Sequence, residues 1–88
     1  MKSILQKNKE CFLCKTTEYL EEHHCIHGVA NRKLAEKYGL KVYLCHFHHQ
    51  MIHNKREEDI KLIRFAQEVF EETHSREEFR QIFGKSWL

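Results

Sequence analysis

The sequence predicts a small α+β domain that depends on bound metal for its stability. Three observations lead to this prediction. Cysteines and histidines occur in pairs at metal-ligand spacing, β-rich and short helical segments separate the pairs, and two helical stripes follow in the last third of the chain. The chain has 88 residues, which is enough for one domain but leaves a hydrophobic core with a thin margin of stability.

The cysteines indicate metal ligands rather than disulfides. The first ten residues, MKSILQKNKE, have no apolar region typical of a signal peptide, and no stretch approaches the ~20 apolar residues that span a bilayer. We therefore expect a cytoplasmic protein, whose thiols stay reduced. The net charge of +2 is compatible with a polyanionic partner without requiring one.

Short elements alternate in the first part of the chain. The pattern predicts a tight turn at 11–14, a strand within 19–26, a helix over 31–39, a strand at 41–45 and a helix over 46–54. Asn31 is the expected N-cap of the first helix, and Gly39 stands just past its end.

The C-terminal part predicts a helical hairpin. Two capping boxes, Asn54 with Glu57 and Ser75 with Glu78, mark helix starts, and the helices should cover about 56–73 and 76–83. Apolar residues at helical spacing should pack between the helices and over the metal core. The side chains expected to be buried are Ile63, Phe70, Phe79 and Phe83.

Two ligand pairs predict a structural zinc site. Cys11 and Cys14 form one Cys-x-x-Cys pair, and Cys45 and His48 form a second pair with the same spacing. Zinc favours tetrahedral thiolate and imidazole ligands, and a tight turn presents two of them. This arrangement is typical of treble-clef zinc folds. Cys25 has no partner at ligand spacing and is expected to be a buried apolar residue.

The remaining histidines predict a second, different site. In a helix His49 and His53 lie one turn apart on the same face, whereas His48 points away from them at about 100° per residue. A third ligand and a free imidazole can come from the adjacent His23 and His24, provided that a strand end lets both line one cleft.

The stretch from HHCIHG to LCHFHHQMIH resembles the HNH (ββα-metal) nucleases. Its His-His pair, 24 intervening residues and His-x-x-x-His are similar to the pattern of colicin-type DNases, and its ligand pairs resemble those of small zinc-stabilised phage HNH proteins. The resemblance covers residues 11–54, half of the chain. It implies one HNH-type domain over 1–88, with a ββα-metal and zinc core at 11–54 and C-terminal helices at 55–88.

The resemblance also implies roles for individual residues. His24 would be the general base, and His23, His49 and His53 would hold one catalytic divalent ion (Mg²⁺, Mn²⁺, Ni²⁺ or Zn²⁺) in addition to the structural Zn²⁺. The asparagine that orients the base in the family should fall near residues 39–41, where this chain has Gly, Leu and Lys. A backbone carbonyl is one substitute for it.

The implied activity is metal-dependent hydrolysis of phosphodiester bonds in DNA, in a bacterial or phage-infected host cell. An imidazole with its ordinary pKa near 6.5 suits general-base work close to neutrality. Basic side chains of the segment between the two strands are candidate phosphate contacts: Arg32, Lys33, Lys37 and Lys41. The alternative is a catalytically inactive zinc module that binds DNA or protein, which accounts for the cysteines but gives the four clustered histidines no role.

Overall fold

The computed structural model describes residues 1–88 and has the predicted α+β architecture. A two-stranded sheet and four helices follow in the order β1 (Leu20–His24), α1 (Val29–Tyr38), β2 (Lys41–Cys45), α2 (His46–Asn54), α3 (Arg56–Phe70) and α4 (Arg76–Phe83). No helix combines the length and the apolar character that crossing a membrane requires.

The sheet brings the two histidine-rich segments together. β1 and β2 pair antiparallel, with Leu20 opposite Cys45 and His23 opposite Val42. α2 begins at the residue after β2, so the chain turns directly from the sheet into the helix that carries the later histidines. His24 is the last residue of β1, which is the strand-end position from which two neighbouring side chains can reach one cleft.

Helix α1 starts earlier than the sequence predicted. Gly28, at φ +106°, precedes its first turn, and no side chain caps it. Asn31 lies inside that first turn, so the prediction that it is the N-cap was wrong. Gly39 ends the helix in the left-handed region at φ +73°, as expected. A Cβ on Gly39 would lie 2.5 Å from the Lys2 carbonyl oxygen, because the N-terminal segment crosses the chain at this point.

The boundary between α2 and α3 lies where the sequence predicted it, but the cap of α3 differs from the prediction. Asn54 is still part of α2, and the break occurs at Lys55, whose backbone is extended at φ −120° and ψ 100°. The capping box predicted for Asn54 and Glu57 is therefore wrong, since the residue before α3 is Lys55 and its side chain makes no cap. The capping box of Ser75 and Glu78 at the start of α4 is confirmed.

The aromatic core joins the C-terminal helices to the rest of the domain. The ring centroids of Phe70 and Phe79 are 5.4 Å apart, and those of Phe79 and Phe83 are 4.7 Å apart. Phe12, in the segment that carries the first cysteine pair, packs on Phe65 of α3 with centroids 5.5 Å apart. The four side chains predicted to be buried here are all at most 6 % exposed: Ile63, Phe70, Phe79 and Phe83.

Candidate functional site

The first candidate centre is formed by Cys11, Cys14, Cys45 and His48. Their ligand atoms all lie within 4.8 Å of one another. The sulfur atoms of Cys14 and Cys45 are 3.9 Å apart, and His48 Nδ1 lies 3.2 Å from the sulfur of Cys45 and 3.6 Å from that of Cys11. A tetrahedral zinc ion with Zn–S of about 2.3 Å and Zn–N of about 2.0 Å separates its donors by roughly 3.5 Å. The four residues could therefore hold a metal such as zinc.

Backbone amides around this centre favour a thiolate at Cys11. Burial acts to raise the pKa of Cys11, but hydrogen bonds from the backbone amides of Cys45, Cys14 and Leu13 outweigh it and lower the pKa to about 6. At Cys14 the Thr16 amide acts to lower the pKa, whereas partial desolvation and the neighbouring thiols leave it raised. Two thiolates this close repel each other, and a bound divalent cation would remove that repulsion.

Cys25 takes no part in either candidate centre. It is fully buried, and it belongs to none of the donor sets. Desolvation, followed by the nearby charge of Asp59, raises its pKa to about 12. Its thiol is therefore protonated near neutrality and serves as a small apolar core group, as the sequence predicted.

The second candidate centre is formed by His23, His49 and His53, whose ligand atoms also lie within 4.8 Å of one another. The ring centroid of His23 is 5.2 Å from that of His49 and 6.0 Å from that of His53. His23 is only 2 % exposed, and its Nε2 is a buried polar atom without a hydrogen-bond partner. A buried nitrogen of this kind normally has a partner, so it is the atom that a bound cation would satisfy.

Burial and the neighbouring imidazoles keep His23 neutral, which is the form that binds a metal. Desolvation is the largest cause, and the neighbouring imidazoles of His49, His27 and His53 add to it, so the pKa falls to about 3. His49 donates through Nδ1 to Glu21 Oε1 at 2.6 Å, which leaves its Nε2 for a metal. A carboxylate behind a ligating imidazole fixes the tautomer and orients the ring.

His24 belongs to a different arrangement from His23. Its Nε2 lies 3.0 Å from Glu36 Oε1, and the other oxygen of Glu36 is 2.7 Å from Lys41 Nζ. Hydrogen bonds from Lys41 first and His24 second, followed by the Met1 amino group, lower the pKa of Glu36 to about 2. The ionised Glu36 can only accept at this contact, so His24 carries a proton on Nε2, and Nδ1 is the ring nitrogen left for other contacts.

A cleft of ≈ 410 Å³ connects these groups. Its wall includes the side chains predicted for the second site together with Arg32 of α1: His23, His24, His49 and His53. Arg32 and Lys33 also line the adjoining surface with His24 and Glu36. Both basic side chains are exposed and lie where a polyanion entering the cleft would meet them.

The other two predicted phosphate contacts have local partners. Lys41 is paired with Glu36, and its side chain is 13 % exposed. A phosphate contact by Lys41 would therefore compete with that ion pair. Lys37 is exposed, and its Nζ lies 5.5 Å from the ring centroid of Tyr38.

Sequence reasoning missed the carboxylates of this region. Glu21 and Glu36 each contact a predicted site histidine, and Asp59 Oδ1 lies 2.7 Å from His27 Nε2. His24 and Glu36 are 12 residues apart, and His27 and Asp59 are 32 apart. Such separations follow no motif spacing, so only the folded chain reveals these pairs.

A scan of protein-family models found no match for this chain, and neither did searches of curated proteins and solved structures.

Proposed function

We propose that the chain is a metal-dependent DNA endonuclease of the HNH (ββα-metal) type, with a treble-clef-like structural zinc site. The observation that carries the proposal is the pairing of His24 with Glu36 beside the cluster of His23, His49 and His53. The same cleft is lined by His24, which has a ring nitrogen not bonded to Glu36, and by three imidazoles whose ligand atoms converge. General-base hydrolysis assisted by a metal needs a free base beside a bound ion, and these groups could provide both.

The two donor sets suit different ions. Three thiolates and one imidazole form a closed four-ligand set, which is typical of structural zinc. Three imidazoles leave coordination positions for water and substrate and favour a transition metal, although Mg²⁺ and Mn²⁺ are also candidates. Bound to His23, His49 and His53, a divalent ion would supply Lewis acidity and stabilise charge on the scissile phosphate and the departing oxygen.

His24 would activate the attacking water. Its Nδ1 takes one proton as the water oxygen forms a bond to phosphorus and the bond from phosphorus to the 3′-oxygen breaks. The leaving oxygen takes a proton from solvent, and His24 later returns its proton to solvent. Arg32 and Lys33 would hold the backbone phosphates in the cleft without reading bases.

Glu36 would do the work of the asparagine that the HNH pattern places before the second helix. Its carboxylate accepts from His24 Nε2–H, fixes the imidazole tautomer and holds the ring, while Lys41 holds the carboxylate from its other side. Glu36→Ala should lower kcat more than it raises KM, and Glu36→Gln should restore part of the rate because an amide oxygen can still accept. Glu68→Ala is the matched control, since it removes an exposed carboxylate that lies outside the cleft and outside both donor sets. In ¹⁵N NMR spectra the His24 tautomer should shift in Glu36→Ala only.

Plasmid nicking tests the proposal directly. Wild type and His24→Ala, matched for zinc content, are incubated with supercoiled DNA and Mg²⁺, Mn²⁺, Ni²⁺ or Zn²⁺, with EDTA as the blank. Loss of a general base should reduce nicking by ~10²- to 10⁴-fold without loss of fold. Arg64→Ala is the control, because Arg64 is exposed on α3 and lies outside both donor sets. Equal rates for His24→Ala and wild type would remove His24 from the mechanism. No nicking by wild type with any of the metals would favour the inactive zinc module.

A further inference from the structure

His23 belongs to a third set of donors. Together with His27 and Asp59 it forms a group whose ligand atoms all lie within 4.8 Å of one another. His27 follows β1 by three residues, and Asp59 lies in the first turns of α3. The ring centroid of His27 is 5.6 Å from that of His23. His23, whose buried Nε2 has no partner, therefore shares one donor set with His49 and His53 of α2 and another with His27 and Asp59.

Asp59 is an unusual carboxylate for a helix start. It is only 7 % exposed, whereas its neighbour Glu57 is exposed. Its close contact is His27 Nε2 at 2.7 Å, and its other contact, Arg56 Nη1, is 3.6 Å away on a side chain that is 67 % exposed. A buried carboxylate is costly unless it is paired or ligates a metal.

We propose that His23, His27 and Asp59 form a second metal position in the cleft, one that prefers Mn²⁺ or a similar oxygen-seeking divalent cation. Two imidazoles and one carboxylate form a harder donor set than three imidazoles, which favour Ni²⁺ or Zn²⁺. If both positions use the unpartnered Nε2 of His23, an ion in one position removes a ligand from the other. The metal supplied then decides which position is filled.

Metal titration of single variants separates the two positions. The protein, with zinc in its cysteine centre, is titrated with Mn²⁺, and the free ion is followed by its electron paramagnetic resonance signal. Asp59→Asn keeps an oxygen that can bond His27 but removes the anionic ligand. His27→Ala removes a side chain that is 41 % exposed, so the fold should tolerate it. Glu57→Gln, on the same helix turn, is the control for charge.

We expect Asp59→Asn and His27→Ala to weaken Mn²⁺ binding by about 10-fold or more, while His49→Ala binds Mn²⁺ as tightly as the Glu57→Gln control. Calorimetric titration with Ni²⁺ should show the reverse order, with the loss in His49→Ala. Absence of Mn²⁺ binding by wild type, or unchanged Mn²⁺ affinity in Asp59→Asn or His27→Ala, would refute the second position. Equal losses of both metals in Asp59→Asn and His49→Ala would also refute it and indicate a single site.

The inference shares His23 with the proposed nuclease site but is measured without DNA. A protein that binds Mn²⁺ through Asp59 and cuts no plasmid would retain the second position and lose the proposed activity. If wild type nicks DNA but Asp59→Asn binds Mn²⁺ as tightly as wild type, the proposed activity stands and the second metal position is refuted.

Discussion

Replacing Cys14 by serine separates the contribution of a metal to stability from the contribution of packing. Cys14 is exposed, and its sulfur belongs to the cysteine centre, whereas Cys25 is fully buried and belongs to no donor set. Without a metal, an exposed substitution should change the free energy of unfolding by less than about 0.5 kcal/mol. The hydroxyl of Cys25→Ser, buried without a partner, should cost about 1–3 kcal/mol. Packing alone therefore makes Cys25→Ser the worse variant.

A bound zinc ion reverses that order. The ion would tie the segment around Cys11 and Cys14, which contains no helix or strand, to the end of β2 and to α2. Structural zinc contributes on the order of 10 kcal/mol in small zinc peptides, which is comparable to the whole stability of a domain, about 5–15 kcal/mol. Cys14→Ser should then unfold or aggregate where Cys25→Ser remains folded, and Cys11→Ser and Cys45→Ser should behave like Cys14→Ser.

The order of stability of these variants is measured by urea unfolding, followed by far-ultraviolet circular dichroism. The samples are matched for zinc, and elemental analysis gives the metal content of each. A wild-type protein that is well folded and contains no zinc would refute the reasoning. So would a Cys14→Ser variant with wild-type stability.

Three further predictions follow from the core, the cleft and the buried imidazole. Phe79→Ala should lower the free energy of unfolding by about 3–5 kcal/mol, because the ring is fully buried against other aromatic rings. Urea unfolding measures this loss. A loss below about 1 kcal/mol, which is roughly the mean for any substitution, would contradict the packing. Arg32→Ala should weaken DNA binding and reduce the slope of log affinity against log salt by about 1, whereas Arg64→Ala, on the exposed side of α3, should leave both unchanged. With no ion on the histidine cluster, the folded-state pKa of His23 is about 3 against an ordinary value of 6.5, so the unfolded chain takes up this proton first. The free energy of unfolding should therefore fall as the pH drops from 6.5 towards 3, by at most about 1.4 kcal/mol per unit, and His23→Gln should flatten the dependence between pH 7 and 5.5.

Local chemistry explains which elements could be predicted from the sequence. The Ser75 and Glu78 box satisfies backbone groups within four residues, and Gly39 and Gly84 adopt the left-handed conformation that ends a helix. The ligand pairs have the same property, because two intervening residues bring two donors to one turn. The capping predictions failed at Asn31 because α1 begins two residues earlier, and at Asn54 because that residue is still part of α2. Lys55 adopts an extended conformation one residue after Asn54, so the capping side chain stands too early.

The supporting side chains of the cleft could not be predicted, because long-range packing brings them together. Glu36 reads in the sequence as one charge on a solvated helix, and Asp59 reads as part of an acidic first turn that favours the helix dipole. Only the sheet register, which places His24 beside Lys41, brings Glu36 to the same spot. The histidines could be grouped by spacing, whereas their carboxylate partners required the fold.

The two candidate centres share helix α2, and we expect the histidine cluster to depend on the cysteine centre but not the reverse. His48 faces the cysteines while His49, the next residue, faces Glu21 and the buried His23. A zinc ion on His48 would therefore fix the start of α2 and, with it, the direction of His49. Loss of that ion should disorder both centres. Loss of an ion from the histidine cluster should leave the cysteine centre and the fold in place, because the sheet, Phe70 and Phe79 hold the domain without it. With ions bound in both centres, such a domain would exchange the ion of its histidine cluster without unfolding.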